Sequence, residues 1–441
     1  MFINKINRSM ETFLVRTNGA LNKKTSVYAG IPVLLIGFLI ELVFVLFKST
    51  NVLFLYYLGA IIIVGCSVLM ETKHFFALFL FLIPSSIFFK LSNTGTAMLS
   101  YAALIFEAKY FLFNFKRIKI PLCFLAVPFL FVSTILFHDY GYIITITRSL
   151  ILLLFLFIFA SDHCLTKRKN TYILSFIVGV LSSITLGFLF YSMTSESVFN
   201  GMFSGLSGDR NYFASVVSVS ISILVMSYSR IKNRLIFFVC FFTLLLGGFL
   251  SCSRTFLISL IWPFLALFLL LKNKTFRQYL LIGILAFTVV FLFFGSSIIS
   301  IINGLIDRFG NETASDGNGR LLIWEYYVSY TINSPATIAF GCSNAMPPYI
   351  NDFGRGIVQH NTFLEAFSEI GVVGIISLLL IFNSLRTKLS GKLSLASAIP
   401  LLSMFTCYFS LNALFTDTFT ILLFVIFLNS TLCVSKNSDR V

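Results

Sequence analysis

The chain has 441 residues, of which 58% are hydrophobic and only 11% are charged, and 54 of them are phenylalanine. Soluble domains carry about 25% charged residues, so this composition excludes a soluble globular protein and indicates an integral membrane protein. The formal net charge is +15, which in a soluble protein would suggest a nucleic-acid partner.

Basic and apolar residues alternate in residues 1–27, which predicts a cytoplasmic amphipathic segment on the membrane surface. Apolar runs near the length of about 20 residues that crosses a bilayer then predict about 12 to 14 transmembrane helices. The candidate helices are 28–47, 52–70, 75–91, 97–114, 120–137, 143–160, 171–191, 212–229, 235–251, 255–271, 279–298, 363–384, 393–415 and 418–435.

The sequence therefore predicts an all-α polytopic integral membrane protein with one large loop. Eleven candidate helices fall within 28–298 and three within 363–435, and a short tail follows at 436–441. The loop, at 299–362, carries aromatic residues and a helix-like run, so we expect it to be ordered and partly helical.

The positions of the basic residues predict the topology. With the N-terminus in the cytoplasm, 23 of the 32 Lys and Arg residues fall in inside segments, as the positive-inside rule requires. Both termini are then cytoplasmic, the large loop is outside, and the net charge requires no nucleic-acid partner. Eight basic residues remain at or near the outer surface: Lys48, Lys90, Arg148, Arg210, Arg254, Arg308, Arg320 and Arg355.

Neither the cysteines nor the histidines show the spacing of a metal site. The eight cysteines contain no CxxC pair and mostly lie in apolar runs, and none of the four histidines occurs in an HExxH motif. Cys252 and Cys342 could both lie on the outer side, so the sequence leaves a disulfide between them open.

Two of the outer arginines stand out by their position. Arg148 lies five residues inside the predicted helix 143–160, about 8 Å deep, where a charge usually faces a cavity or a partner. Snorkelling to the headgroups is the alternative. Arg254 follows a turn where Ser253 or Thr255 could cap the next helix, and a helix start with an arginine favours an anion.

Two further outer arginines open helices. In GDRNYFAS (208–215), Asp209 and Asn211 are good capping residues for a helix that starts on the outer side. Arg210 and Asn211 then face the outside. In GRLLIWEYY (319–327), Trp324 and Tyr327 share a helix face with Arg320. An arginine beside aromatic rings suits a sugar phosphate, although interfacial anchoring also explains the aromatic residues.

The stretch GIVQHNTFLEAFSEIGVVG (356–374) places His360 just before an apolar helix. A histidine is poised near neutral pH to accept a proton, and Asn361 could orient a hydroxyl or cap the helix. Glu365 lies about 140° around the helix from His360, which makes it a poor direct partner. A purely interfacial or capping histidine remains the alternative.

Several of these motifs, in this order, resemble the bacterial O-antigen polymerase and O-antigen ligase superfamily. The motifs are SRT (253–255), GRLLIW (319–324), SPATIAFG (334–341) and HNTFLEAFSEIGVVG (360–374), with GDRNYFA (208–214) before them. The resemblance covers roughly 145–385. It implies a GT-C-like membrane glycosyltransferase of the bacterial inner membrane with a periplasmic active site. The implied donor is an undecaprenyl-pyrophosphate-linked oligosaccharide, used without a metal or another cofactor.

By matching position, the resemblance implies that His360 deprotonates the acceptor hydroxyl and that Arg254 and Arg320 hold the pyrophosphate. Charge and topology add Arg148 and Arg210 to the predicted pyrophosphate site. Asn211, Asn361, Trp324 and Tyr327 are the predicted substrate-binding residues.

The motifs favour a surface-polysaccharide polymerase over a ligase that transfers the glycan to lipid A core. A lipid-linked oligosaccharide flippase is less favoured, because the polar residues concentrate at the outer rim and not at mid-membrane. Inner-membrane lipids and a chain-length regulator protein are further expected partners.

Overall fold

The computed structural model of the protein describes residues 31–90, 98–114, 121–166, 168–194, 203–228, 231, 233–270, 320–350, 356–390 and 393–430, with isolated positions between 276 and 303. The predicted segments 1–27 and 436–441, most of the predicted helix 279–298, the first part of the loop, Arg308 and Arg355 lie outside the described residues.

The described part is helical apart from two short strands. The helices are α1 (Ile31–Thr50), α2 (Leu53–Leu69), α3 (Thr72–Leu82), α4 (Met98–Asn114), α5 (Val132–Leu136), α6 (Tyr140–Ser161), α7 (His163–Thr166), α8 (Lys169–Met193), α9 (Arg210–Met226), α10 (Arg234–Leu250), α11 (Arg254–Ser259), α12 (Ile261–Leu270), α13 (Arg320–Thr331), α14 (Pro335–Phe340), α15 (Thr362–Leu389), α16 (Leu395–Tyr408) and α17 (Asp417–Ser430). Short 3-10 helices occupy Ile83–Phe89, Leu122–Phe131 and Ser343–Ala345. In the loop, β1 (Tyr349–Ile350) pairs antiparallel with β2 (Gly356–Ile357).

Within the described residues, five helices are long and apolar enough to cross a membrane, and seven shorter apolar helices accompany them. The five are Ile31–Thr50, Thr72–Phe89, Tyr140–Ser161, Lys169–Met193 and Thr362–Leu389. The prediction of an all-α polytopic membrane protein is confirmed.

Helix α9 lies at the centre of the bundle, where every residue from 213 to 225 is buried. Its serines bond to neighbouring helices: Ser218 Oγ lies 2.7 Å from Ser259 Oγ of α11, and Ser222 Oγ lies 2.7 Å from Ser403 Oγ of α16. Small polar residues let membrane helices approach closely and hydrogen-bond across the contact. These contacts fix α11 and α16 against α9.

Two charged residues of the apolar helices, Glu41 and Lys109, have structural partners. Ser85 Oγ and Ser182 Oγ donate hydrogen bonds to the two carboxylate oxygens of Glu41, at 2.7 and 2.5 Å. Lys109 Nζ donates to three backbone carbonyls at the C-terminal end of α2, at 2.8 to 3.1 Å. A lysine there satisfies carbonyls that have no helical partner.

The predicted helix 393–415 is shorter in the structure. Helix α16 ends at Tyr408, and residues 409–416, which we call the recessed segment, are non-helical and largely buried. Side chains of other helices replace the missing backbone partners. Thr362 Oγ1 donates to the Leu411 carbonyl at 2.7 Å and accepts from Ala413 N at 3.2 Å. Irregular backbone is tolerated at membrane depth only when the protein satisfies it in this way.

The predicted helix 363–384 is broken in the structure. Gly371 interrupts α15 with φ 63° and ψ −173°. The turn after α14 packs against the break, and Cys342 N donates to the Ser368 carbonyl at 2.6 Å. A Cβ on Gly371 would lie 2.4 Å from the backbone nitrogen of Gly341, so both positions require glycine.

The two outer cysteines do not form a disulfide. Cys252 and Cys342 are both buried, and no disulfide joins them. Cys252 belongs to the main apolar core, whereas Cys342 packs in a separate small core within the loop.

Candidate functional site

The starts of four helices meet at one end of the bundle and bring together Asp209, Arg254, Arg320 and His360, which we call the outer cluster. Asp209 caps α9, and His360 lies just before the N-cap of α15. Arg254 is the first residue of α11, and Arg320 is the first residue of α13. The charge of Arg254 acts on Arg320, and the charges of Arg320 and Asp209 act on His360. The structure therefore brings the predicted base together with two of the four predicted arginines.

The backbone of His360 adopts a left-handed conformation, with φ 48°. Such angles are uncommon for residues other than glycine and persist where neighbouring groups hold the chain. Trp324 Nε1 donates to the Gln359 carbonyl at 2.8 Å, and Asn361 N donates to Asn412 Oδ1 at 3.1 Å. The chain is thus held on both sides of His360.

Burial lowers the pKa of His360, the charge of Arg320 lowers it further, and the carboxylate of Asp209 raises it. Part of the side chain is nevertheless exposed. A histidine with a lowered pKa is neutral at physiological pH, so it can accept a proton from a hydroxyl. Its exposure leaves it accessible to a substrate.

Arg254 and Arg320 are both half-buried. Burial lowers the pKa of the Arg320 guanidinium, and the charge of Arg254 lowers it further. Guanidinium groups keep their charge even so, and two of them close together stabilise an anion with several oxygens, such as a pyrophosphate.

Helix α9 is tied to the turn that carries Arg254. As predicted, Asp209 caps α9, because its carboxylate accepts from Asn211 N at 2.7 Å and Tyr212 N at 3.0 Å. Arg210 is the first residue of α9, next to this cap. Asn211, a predicted substrate-binding residue, accepts a hydrogen bond from Ser253 Oγ at 3.1 Å.

The prediction that Ser253 or Thr255 caps the helix at Arg254 is correct for the position of Ser253, but the capping hydrogen bond is absent. Ser253 is the N-cap residue, but its side chain makes no capping hydrogen bond and instead binds α9. The Thr255 hydroxyl lies 2.5 Å from Ser410 Oγ. The turn is therefore bound to α9 on one side and to the recessed segment on the other.

The two aromatic residues of α13 differ in their placement. Tyr327 is buried in the loop core, and its hydroxyl donates to the Ile357 carbonyl at 3.0 Å. This position gives Tyr327 a packing role, in place of the predicted sugar contact. Trp324 is half-buried and keeps part of its ring open to solvent.

Asn361, predicted either to orient a hydroxyl or to cap a helix, is the N-cap of α15. Its Oδ1 accepts from Phe363 N at 3.0 Å and from Leu364 N at 3.1 Å. These bonds use the side-chain oxygen for the helix, and Asn361 is buried, so the structure supports the capping role.

Arg148 lies deeper in the bundle than the sequence indicated and pairs with Asp417. Helix α6 begins at Tyr140, so Arg148 is eight residues, or about 12 Å, from its start. Arg148 Nε lies 3.7 Å from Asp417 Oδ1. The charges of Arg148 and Asp417 both act on Lys90. We call these three residues the Arg148 cluster.

The buried polar residues of α15 were not recognised as part of the site. The Tyr142 hydroxyl donates to Glu369 Oε2, and Leu414 N donates to Glu365 Oε2 at 3.0 Å. The spacing of four residues between the glutamates, which places them on one helix face, was the available signal.

Gln359 and Asn412 were missed for a different reason. Asn412 Nδ2 donates to Gln359 Oε1 at 3.2 Å, and Gln359 Nε2 donates to Ser368 Oγ at 3.0 Å. The two residues are 53 positions apart, and nothing in the sequence indicates their contact.

Residues 239–379 match the model of the O-antigen ligase family. This match starts within α10, ends within α15 and contains Arg254, Arg320 and His360.

This match supports a place in the O-antigen ligase and polymerase superfamily.

The resemblance predicted from the motifs is confirmed, and the three residues of the outer cluster that it implied fall within the O-antigen ligase region. Asp209, Arg148 and Asp417 lie outside it. Neither a curated protein nor a solved structure is significantly similar to the chain. In the described part of the chain, no group of three or more His, Cys, Asp or Glu residues could hold a metal ion.

Proposed function

We propose that the protein is a metal-independent glycosyltransferase that transfers a glycan from undecaprenyl pyrophosphate to a sugar hydroxyl. The family match supports an O-antigen ligase or polymerase type of function in general. The observation that carries the finer proposal is the convergence of Arg254, Arg320 and His360. These residues come from three separate helix starts, yet Arg254 acts on Arg320 and Arg320 acts on His360. The hydrogen bond from Trp324 Nε1 to the Gln359 carbonyl, at 2.8 Å, holds α13 against the residue before His360.

The proposed reaction is a direct displacement at the anomeric carbon. His360 takes the proton of the acceptor hydroxyl, and the oxygen of that hydroxyl forms a bond to the anomeric carbon of the donor glycan. The bond from that carbon to the pyrophosphate oxygen breaks, and undecaprenyl pyrophosphate leaves with the electron pair. Arg254 and Arg320 stabilise the negative charge that develops on the leaving group, a role for which fixed guanidinium groups are suited.

We propose further that the acceptor is another lipid-linked repeat unit, so that the protein is a polysaccharide polymerase. The motifs HNTFLE (360–365) and DRN (209–211) support this choice. A ligase that transfers the glycan to lipid A core is the second candidate, favoured by the description of the matching family. The flippase has less support, because Glu41 and Lys109 are occupied by structural hydrogen bonds.

The proposed setting is the bacterial inner membrane, with both termini in the cytoplasm and the outer cluster in the periplasm. The distribution of basic residues supports this orientation. A protein that regulates chain length is a further proposed partner.

Product analysis tests the proposed function. Purified protein in liposomes receives a lipid-linked repeat unit, without nucleotide and with EDTA, and in a second reaction also receives lipid A core. A ladder of products on undecaprenyl pyrophosphate is expected in both reactions. Transfer only to lipid A core would identify a ligase, and transfer that appears only when EDTA is left out would contradict the metal-independent mechanism.

A further inference from the structure

The Arg148 cluster combines two positive charges and one negative charge in the interior of a membrane protein. The side chains of Arg148 and Asp417 are only 21% and 7% exposed, and Lys90 is half-buried. Three elements pack together around the cluster: α4, α17 and the 3-10 helix Ile83–Phe89, which ends just before Lys90. Charges are costly in such surroundings and are usually retained for a function.

The hydrogen-bonding capacity of this cluster is not filled by the described residues. Arg148 Nε and Asp417 Oδ1 are buried and lie 3.7 Å apart, and neither atom makes a hydrogen bond to another of the described residues. Buried polar atoms are normally paired, so unpaired ones indicate a missing partner. A guanidinium binds acceptor oxygens, and a carboxylate accepts from a donor. A phosphate attached to a sugar offers both.

The recessed segment connects the Arg148 cluster to the outer cluster. At its start, Ser410 Oγ contacts Thr255, the residue after Arg254. Near its end, the Phe415 carbonyl accepts from Ser149 Oγ at 2.8 Å, next to Arg148. The backbone from residue 410 to residue 417 spans at most about 24 Å even when fully extended. The two clusters therefore lie beside the two ends of one short segment.

We propose that the Arg148 cluster binds the lipid-borne phosphate of a second substrate, the acceptor lipid-linked glycan. This inference rests on the proposed polymerase function. A reaction between two membrane-anchored glycans requires both lipid headgroups to be held at the same membrane surface. The outer cluster holds the pyrophosphate that leaves, so the pyrophosphate that remains on the acceptor needs its own cationic site. A phospholipid headgroup offers the same phosphate chemistry, and the experiment separates the two sources.

The test uses Lys90→Ala, which lowers the positive charge of the site and keeps the Arg148–Asp417 pair. Lys48→Ala removes another outer lysine, at the end of α1, and is the matched control. Native mass spectrometry counts the undecaprenyl pyrophosphate molecules bound in detergent. We expect two per chain in the wild type and in Lys48→Ala, and one in Lys90→Ala at the same lipid concentration.

Kinetics with two acceptors provide the second measurement. One acceptor is the lipid-linked repeat unit, and the other is the same glycan as an alkyl glycoside without phosphate. For Lys90→Ala we expect the KM of the lipid-linked acceptor to rise about tenfold, and the KM of the alkyl glycoside to be unchanged.

Three results would overturn the inference. Equal binding of two pyrophosphate lipids by Lys90→Ala would show that the cluster is not their site. Equal KM changes for both acceptors would indicate a general disturbance. Loss of a bound phospholipid with an unchanged KM for the lipid-linked acceptor would assign the site to a phospholipid headgroup. Failure of the polymerase proposal is distinguishable, since it appears as the absence of a product ladder in the wild type.

Discussion

At the scale of the residue, the chemistry of the site depends on the surroundings of His360. Its backbone has a left-handed conformation. Two hydrogen bonds hold the chain on either side of it, one from Trp324 to the Gln359 carbonyl and one from Asn361 N to Asn412. Burial and Arg320 lower the pKa of its imidazole, and Asp209 opposes them. The neutral form, which is the form that can act as a base, therefore persists to lower pH than for an ordinary histidine.

This electrostatic arrangement predicts a direction of pH dependence. If His360 is the base, kcat/KM falls on the acid side as the imidazole becomes protonated. Arg320→Gln removes a charge that lowers the pKa of His360, so the acid limb should move to higher pH. Asp209→Asn removes a charge that raises that pKa, and should move the limb to lower pH.

The measurement is the pH profile of kcat/KM in proteoliposomes, with Lys48→Ala as a control whose acid limb should not move. An acid limb that stays at the wild-type position in both Arg320→Gln and Asp209→Asn would show that another group titrates.

The site residues that carry a chemical signature in the sequence were predictable, and those that act through tertiary contacts were not. Arg254, Arg320 and His360 each lie in a recognisable motif. In contrast, the partnership of Arg148 with Asp417 joins positions in different helices, and no local pattern encodes it. The same holds for the hydrogen bond between Tyr142 and Glu369.

At the scale of the element, two irregular features shape the site. One is the break in α15 at Gly371, and the other is the recessed segment that follows α16. Both lie in apolar runs that the sequence predicts as continuous helices. Hydropathy reports whether a segment enters the membrane, and it does not report whether side chains of other helices replace its backbone hydrogen bonds. The breaks were therefore not predictable.

The break in α15 predicts that Gly371→Ala is strongly destabilising. Alanine would be strained at φ 63°, and its Cβ would lie 2.4 Å from Gly341 N, a backbone atom. Backbone strain of this kind costs about 1–3 kcal/mol, so the free energy of unfolding and the Tm should both fall. Gly65→Ala is the control, because a Cβ there meets no atom within 4 Å and helical alanine is favourable.

Thermal unfolding of the purified variants in detergent measures the difference. If Gly371→Ala and Gly65→Ala had the same Tm, the close contact between the turn after α14 and the break would be contradicted.

The recessed segment predicts a role for Thr362. Thr362→Val removes a hydroxyl that bonds to the Leu411 carbonyl and to Ala413 N, and buried groups left unpaired cost about 1–3 kcal/mol. The segment also carries Asn412, which holds the chain at His360, so the transfer rate should fall together with the Tm.

Thr387→Val is the matched control. Thr387 is exposed and bonds only within its own helix, to the Ser384 carbonyl at 2.9 Å, so a change of at most about 0.5 kcal/mol is expected. Unfolding and transfer assays of the two variants give the comparison. Equal Tm values and equal rates would remove the proposed role of Thr362.

At the scale of the whole molecule, the helices were largely predictable because apolar length and charge position determine them. Each of the five membrane-crossing helices of the described part overlaps a predicted apolar run. The central position of α9 and the meeting of four helix starts at one end required the three-dimensional structure, because they depend on packing between distant parts of the chain.

If both proposals hold, one bundle binds two membrane-anchored substrates. The outer cluster and the Arg148 cluster are linked by one short buried segment. A glycan on one lipid could then reach a hydroxyl on the other while both lipids stay in the membrane. The proposed catalytic event takes place at His360, so the central claim is best tested there.

The most direct test is single-turnover transfer by purified protein in liposomes that contain a lipid-linked repeat unit, with no nucleotide and no metal. The wild type should elongate the repeat unit. His360→Ala should slow the chemical step by about 10²- to 10⁴-fold, the usual contribution of a general base, with folding checked by Tm. A His360→Ala variant that is folded and transfers at the wild-type rate would contradict the account.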